Sequence, residues 1–432
     1  MLEKLFKLKN SGTTAKIEIL AGLTTFMTMG YILIVNPQIL SAAGMNEGAV
    51  FTATAISAFI GTMVMAFYAN KPFALAPGMG LNAFFAYTVV IQMGYSWQFA
   101  LTAVFLEGII FIIMTFFKLR VAIINSIPYN LKKAVSVGIG LFIAFIGLQG
   151  GGIIVDNPAT MVSIGQLHNG AALLTIIGIL ITGFLLAKKV KGALLYGILI
   201  STVIGIFMGV TQVPEGLKIF SLPPSISPIF LKFEFQNIFS FDMLIVLFTF
   251  LFVDLFDTVG TLIGVSTKAG MVDEKGNLPG VHRALLADAI GTTAGACLGT
   301  STVTTYVESA AGVAEGGRTG LTALSTGILF ALALLFAPLL LMVPAAATAP
   351  VLIIVGLFMM SPIKEIDLDD YTEAIPAFLT IIMMPLAYSI AEGIVFGMIS
   401  YAILKLISGK AKDVTALGYI IAALFILKYL FL

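Results

Sequence analysis

Seven acidic side chains lie within or beside long apolar runs: Glu107, Asp254, Asp257, Asp288, Glu308, Glu315 and Glu392. Burial disfavours the charged form of a carboxyl group, so an acid in such surroundings either accepts hydrogen bonds or is a candidate proton carrier. Asp254 and Asp257 sit in the segment Phe252-Val253-Asp254-Leu255-Phe256-Asp257-Thr258. A spacing of three places both on one face of a helix. A carboxylate accepts two N–H groups side by side, and an amide such as Asn82 both donates and accepts. No lysine or arginine neighbours these acids inside the apolar stretches; Arg283 and Arg318 fall near predicted ends. Asp254 and Glu308 read as functional. Glu107 and Glu392 read as hydrogen-bonding links between helices, Glu315 as the end of a short helix before Arg318, and Asp288 as either core or near an end.

Other chemistries have little to work with. The two histidines, His168 and His282, fall in predicted loops, and Cys297 is the single cysteine. No metal site, internal disulfide, cofactor or nucleophile–base set is expected, and so no enzyme. The net charge of +1 identifies no partner, and no nucleic acid is expected among the partners.

The elements that carry these acids are membrane spans. Of 432 residues, 59% are hydrophobic and 10% charged, with mean hydropathy +1.06, against roughly 25% charged in soluble domains. Runs such as Ile17–Val35, Val50–Ala69, Phe99–Phe117 and Ala134–Leu148 approach the length of about 20 residues that a helix needs to cross hydrocarbon. They are continuous blocks, without the alternation of a barrel. The expectation is an all-α polytopic membrane protein with about fourteen spans up to Leu406, followed by an apolar segment from Thr415 to Leu432 that spans, lies at the interface or packs on the bundle. Starting the chain inside puts twenty of the 23 lysines and arginines on the inner side, from Lys4, Lys7, Lys9 and Lys16 through Lys118, Arg120 and Lys275 to Lys410 and Lys412. Lys218 and Lys232, in one long loop, fall outside, and Lys428 stays unplaced. That bias predicts a cytoplasmic N-terminus. The first residues read as a short amphipathic segment with no cleavable signal.

The chain also repeats itself. Ile127-Pro128, Ala134-Val135, Val137 and Gly140-Leu141-Phe142 match Val343-Pro344, Pro350-Val351, Ile353 and Gly356-Leu357-Phe358 at a constant offset of 216. Thr25-Phe26 before Gly30 likewise matches Thr249-Phe250 before Asp254. Seven spans per half is an odd number, so the halves have opposite topology. Inverted repeats of this kind place substrate near the midplane between broken helices. Two segments look broken. Residues 73–85 contain Pro77, Gly78 and Gly80; residues 299–312 contain the β-branched run Thr302-Val303-Thr304-Thr305. Each is read as an extended piece followed by a half-helix, whose N-terminus offers free N–H groups and a positive dipole end. Superposing the two breaks sets Asn82 opposite Glu308. Phe26, Phe84, Phe85, Phe250 and Tyr306 flank the same places, available for packing or for stacking on a flat ring.

The runs Ala21–Ile32, Ala76–Phe85, Asp254–Leu262 and Gly299–Val313 resemble the AzgA-like purine permeases of the nucleobase–ascorbate transporter superfamily, and the likeness extends over nearly the whole chain. The resemblance implies seven-plus-seven inverted repeats arranged as a core and a gate domain. It implies proton-coupled uptake of adenine, guanine or hypoxanthine by alternating access, with sodium the less favoured ion and a homodimer as the assembly. It assigns Asn82, Asp254 and Glu308 as substrate contacts, with Asp257 in support and Asp254, Asp257 and Glu308 as the proton-coupling acids. Gly80 and Phe84 are further candidate contacts, and Thr305 and Tyr306 are positions that tune which purine fits. The rival expectations are an anion transporter of the same fold and a uracil or xanthine permease. The expected division is a first repeat over 1–210, a linker over 211–240, a second repeat over 241–410 and a terminal helix over 411–432.

Overall fold

The computed structural model describes residues 2–117, 128–168, 170–214, 216–268, 271 and 278–431. Lys118, Arg120, Ile127 and Lys275, used above for charge and repeat, lie outside these residues, as does the side chain of Lys428.

Most hydrophobic runs become helices, several with a proline inside them, such as Pro37, Pro350 and Pro376. The first half holds α1 (Ala15–Met29), α2 (Ile32–Ser41) and α3 (Glu47–Val64), then strand β1 (Leu75–Pro77) leading into α4 (Met79–Ala83), which continues as a wider π-type coil to Gln92. It ends with α5 (Trp97–Phe117), α6 (Tyr129–Gly150), the exposed hairpin β2 (Ile154–Asn157) and β3 (Met161–Ile164), α7 (Gly170–Ala187) and α8 (Ala193–Phe207). The second half holds α9 (Phe241–Lys268), α10 (Val281–Leu298), strand β4 (Val303–Thr305), α11 (Ser309–Ala314), α12 (Gly320–Ala333), α13 (Ala345–Met359), α14 (Tyr371–Leu386) and α15 (Ile390–Ile407). The terminal helix α16 (Ala416–Phe431) packs along α15, with Phe425 6.0 Å from the Phe248 ring of α9. Among the described residues, eight helices are long and apolar enough to cross a membrane, and shorter apolar helices cover Met79–Gln92, Ala193–Phe207, Tyr371–Leu386 and Gly418–Leu427. Large apolar side chains such as Leu180, Phe184, Phe378 and Leu406 stay exposed, which suits lipid rather than water.

The two interruptions meet. β1 and β4 pair antiparallel with Leu75 opposite Thr305, Ala76 opposite Thr304 and Pro77 opposite Val303. The ladder is extended by the Gly78 N–H to the Thr302 carbonyl at 2.9 Å and the Tyr306 N–H to the Ala74 carbonyl at 3.0 Å. Pro77 is tolerated because it sits opposite Val303 at a non-hydrogen-bonded pair, where the ladder needs no N–H from it, and the ladder runs on to Gly78. Gly78 follows because a Cβ there would stand 2.6 Å from the Thr304 methyl. Non-helical backbone at membrane depth survives only where protein satisfies it, and here each broken segment satisfies the other.

The remaining helices pack in two groups. α1, α3, α5, α10 and α12 gather around the strand pair, while α6, α7, α8, α13, α14 and α15 pack among themselves. In the second group Gly140 of α6 meets Gly356 of α13, where a Cβ on either residue would reach within 2.5 Å of the other's carbonyl oxygen. These two glycines are partners in the 216-residue offset. Residues related by a two-fold repeat touch each other only near its axis, so this contact lies beside that axis.

Buried ionic contacts fix the ends. Glu18 of α1 is fully buried and accepts from the N–H groups of Arg318 (2.8 Å), Thr319 (3.2 Å) and Thr322 (3.1 Å), and from the Thr322 hydroxyl at 2.6 Å. It thereby caps α12 from another helix. Lys405 of α15, 3% exposed, pairs with Glu373 at 2.7 Å and Asp413 at 3.4 Å, which joins α14, α15 and the turn after α15.

Candidate functional site

The site is built from the two breaks and α9. Glu308 immediately precedes α11 without capping it, so its side chain is free to turn elsewhere. It accepts from the Tyr31 hydroxyl at 2.7 Å, at the bend between α1 and α2. Asp257 on α9 lies close enough to feel the charges of both Glu308 and Asp254. Glu308 and Asp257 both keep some accessible surface, and Val307 between them and the strand is half exposed. Two partly accessible carboxylates therefore stand with the buried Tyr31 phenol.

One turn back along α9, the surroundings close. Asp254, Thr258, Asp288 and Thr304 are all buried. The Thr258 hydroxyl stands 3.0 Å from Asp254 Oδ1, 2.9 Å from Asp288 Oδ2 and 2.8 Å from the Thr304 hydroxyl. Asp288 Oδ1 accepts the Thr305 N–H at 2.9 Å and the Thr305 hydroxyl at 3.2 Å, so an acid of α10 holds the end of β4. Asp288 thus belongs to the core, the first of the two places open to it from the sequence.

On the facing half, Asn82 sits in the first turn of α4 and is fully buried. Its Oδ1 accepts from the Ser301 hydroxyl, and its amide nitrogen makes one long contact, 3.5 Å, to the Pro77 carbonyl. The acceptor end is thereby fixed and the NH2 end keeps donating capacity. Gly80 turns toward α6, where a Cβ would meet Ile139 at 2.7 Å, so glycine here sets how near the half-helix approaches its neighbour. Phe84 packs edge-to-face on Phe250 at 4.8 Å.

Thr305 gives its hydroxyl to Asp288, and Tyr306 gives its hydroxyl to the Pro77 carbonyl at 2.5 Å. Both bind one broken segment to its surroundings. Glu107 accepts from the Thr302 hydroxyl at 2.6 Å, a link between α5 and the extended run. Glu315 pairs with Lys191 at 2.5 Å, a cation that the sequence did not associate with it. Glu392 begins α15 and lines a cavity of about 110 Å3 with Phe84, Gln92, Met93, Ile245 and Ser389, in addition to any structural link. Among the described residues, no cluster of His, Cys, Asp or Glu has the makings of a metal site.

The sequence reading missed Tyr31, Thr258, Ser301 and Glu18. Tyr31 carried a faint signal, since it follows Gly30 at the break of an apolar run, and Thr258 stands four residues after Asp254 on the same helix face. Ser301 and Glu18 act through partners more than 200 residues away, which no local pattern announces.

A family model, Xan_ur_permease, described as a permease family, matches residues 16–396. The chain belongs to this permease family. It is a transporter of the membrane and not an enzyme. Among its relatives, the guanine/hypoxanthine permease PbuG of Bacillus subtilis is 49% identical, with 100% of both chains covered. The adenine permease AdeP of Escherichia coli is 45% identical over 100% of this chain and 96% of its own. The nucleobase transporter PlAzg2 of Paenibacillus larvae is 34% identical over 89% of this chain and 76% of its own. Among solved structures, the transmembrane domain of the cyanobacterial bicarbonate transporter BicA matches with a TM-score of 0.64 at 17% identity, over 87% of this chain and 97% of its own. That likeness speaks for the permease's fold: two inverted seven-span repeats with a core and a gate.

Proposed function

We propose that this permease imports purine nucleobases, adenine, guanine or hypoxanthine, by proton symport and alternating access. The observation that carries the reading is the grouping of Glu308 and Asp257 with the Tyr31 phenol, with the Asn82 amide on the half-helix after the facing strand. A purine offers adjacent N–H donors for a carboxylate and ring nitrogens or a carbonyl for an amide NH2. Glu308 is the main acceptor, Asn82 the donor, and Asp254 and Asp257 the neighbouring acids that handle the proton. The names of the relatives PbuG and AdeP point to the same substrates. Twenty of 23 cationic side chains on one side support a cytoplasmic N-terminus. Repeats over 1–210 and 241–410, joined by 211–240, complete the reading, with a homodimer as the assembly carried over from the resemblance.

An anion carrier of this fold would want cationic groups at the site, and this site is lined by acids. The test is uptake of radiolabelled adenine, guanine, hypoxanthine, xanthine, uracil and bicarbonate into cells lacking their own carriers. Purine uptake should rise as external pH falls and collapse with a protonophore. Transport of bicarbonate or uracil without purines, or purine uptake that follows sodium and ignores the protonophore, would refute the reading.

A further inference from the structure

The contacts around Thr258 contain one hydrogen too few. A threonine hydroxyl has one proton to give and two lone pairs to receive with. Thr258 touches three oxygen groups at hydrogen-bonding distance: Asp254 Oδ1, Asp288 Oδ2 and the Thr304 hydroxyl. If Thr304 donates to Thr258, the single Thr258 proton serves one carboxylate. The other carboxyl oxygen, 2.9 or 3.0 Å away, then faces a lone pair unless it brings a proton of its own. If Thr258 instead donates to Thr304, both acids need protons. All these atoms are buried away from water. Two facing acceptors in such a place are costly. The full set of contacts therefore requires at least one proton on the acid pair.

The hydrogen bonds also say where that proton rests. Asp288 already accepts from the backbone N–H and hydroxyl of Thr305. Donors aimed at a carboxyl group favour its charged form. In one resting arrangement Asp288 is the carboxylate, accepting from Thr258 and from Thr305, and Asp254 is the acid, donating to the oxygen of Thr258. Thr258 is saturated in this arrangement, with two bonds accepted and one given.

We propose that Thr258 is a one-proton exchange point between Asp254 and Asp288, giving the coupling proton two resting places one hydroxyl apart. Transfer balances without any further reactant. The O–H bond of Asp254 breaks as its proton joins Thr258 Oγ1, and the former Thr258 proton leaves to form an O–H bond on Asp288. The hydroxyl is regenerated and one proton has moved from α9 to α10. Asp288 in turn holds Thr305, which pairs with Leu75, so the proton's position bears on the strand pair that unites the two breaks. Other titratable groups on the elements packed around this network are Asp257 on α9, Glu308 before α11, Glu107 on α5, which binds Thr302, and Tyr306 after β4, which binds the Pro77 carbonyl. Arg283 and His282 lie in the first turn of α10, before Asp288 on the same helix, and Arg283 stacks over Tyr68 at 5.7 Å.

This inference rests on the symport reading for its use in transport, but its chemistry has a test of its own. Infrared spectroscopy of purified protein at neutral pH should show the carbonyl band of a protonated carboxyl group. Asp254→Asn should remove that band, Thr258→Val should shift it to the frequency of a less hydrogen-bonded acid, and Thr258→Ser should restore it. A parent without such a band, or a band indifferent to Thr258→Val, overturns the proposal. In proteoliposomes, accumulation of hypoxanthine or adenine driven by a pH gradient should fall by about tenfold or more in Thr258→Val. The pH dependence of uptake should flatten in that variant, and both should return in Thr258→Ser. A purely structural hydroxyl would lower uptake at every pH alike and leave the profile in place, which overturns the proposal. A parent that binds purines yet ignores the gradient refutes symport instead, and the infrared bands then decide the case for Thr258.

Discussion

Tyr31, at the bend between the first two helices, donates its hydroxyl to Glu308 across 2.7 Å, a contact spanning 277 positions of sequence. The phenol holds one carboxylate oxygen in place and leaves the other for a ligand. Tyr31→Phe removes only the donor. A hydrogen bond to a charged group contributes about 1.5–3 kcal/mol, and part of that loss should appear as purine affinity about tenfold weaker by calorimetry. Unaltered affinity would mean that Glu308 is positioned by something else.

Glu308→Gln keeps the size of the side chain and replaces an acceptor with a donor. A purine N–H would then face an amide N–H in a dry site. The loss should be a few kcal/mol, about a hundredfold or more in affinity. Glu392→Gln, beside Phe84 and Gln92 in the neighbouring cavity, should change affinity far less. The reverse order of effects in calorimetry on folded protein would move the binding site to that cavity.

Gly140→Ala places a methyl group about where the Gly356 carbonyl oxygen stands, 2.5 Å from the ideal Cβ. The helices must part or bend. Overpacking of this sort costs about 1–3 kcal/mol, and thermal unfolding in detergent should shift down accordingly. Gly150→Ala, where a Cβ meets nothing within 4 Å on the same helix, is the control and should unfold near the parent temperature.

Asp370 precedes α14 outside the spans. Its carboxylate accepts from Lys410 at 2.6 Å and from the hydroxyl and N–H of Thr372, and these contacts hold its carboxyl well below the usual range. A depressed folded value means stabilisation that is complete above the unfolded pKa of about 3.9 and is lost as pH falls through the folded value. Asp370→Asn should therefore unfold below the parent temperature at pH 7, and the gap should narrow as pH drops below about 4. A gap independent of pH would rule out the ionic contribution.

Much of this was legible in the sequence because its causes are local. Pro77, Gly78 and the run Thr302-Val303-Thr304-Thr305 announce breaks in helices through their own backbone preferences, and both breaks are there. The repeat offset was likewise visible in the match of Gly140 to Gly356. The roles of single side chains were harder to read, because they depend on which distant atoms arrive beside them. Glu18 looks like a stray charge at the start of an apolar run until α12 presents its N–H groups. Thr305 and Tyr306 look poised for ligand, and their hydroxyls are spent on Asp288 and the Pro77 carbonyl. Asp254 and Asp257 share a helix face as their spacing predicted, yet one is sealed among hydroxyls and the other keeps some accessible surface. A difference of one turn decides that, and only the packed neighbours set where the accessible surface ends.

The pairing of β1 with β4 constrains the transport cycle itself. Asn82 and Glu308 descend from opposite halves of the chain, but the strands before them are stitched by backbone hydrogen bonds that neither half can release without exposing bare peptide groups to an apolar interior. Whatever part of the molecule travels when the site turns from one face of the bilayer to the other, these two residues travel together. The cargo would then keep the same coordination throughout its journey. With no ion gradient applied, its dissociation constants at the two faces should be nearly equal, and the direction of net flow should follow the concentration gradient of the cargo alone.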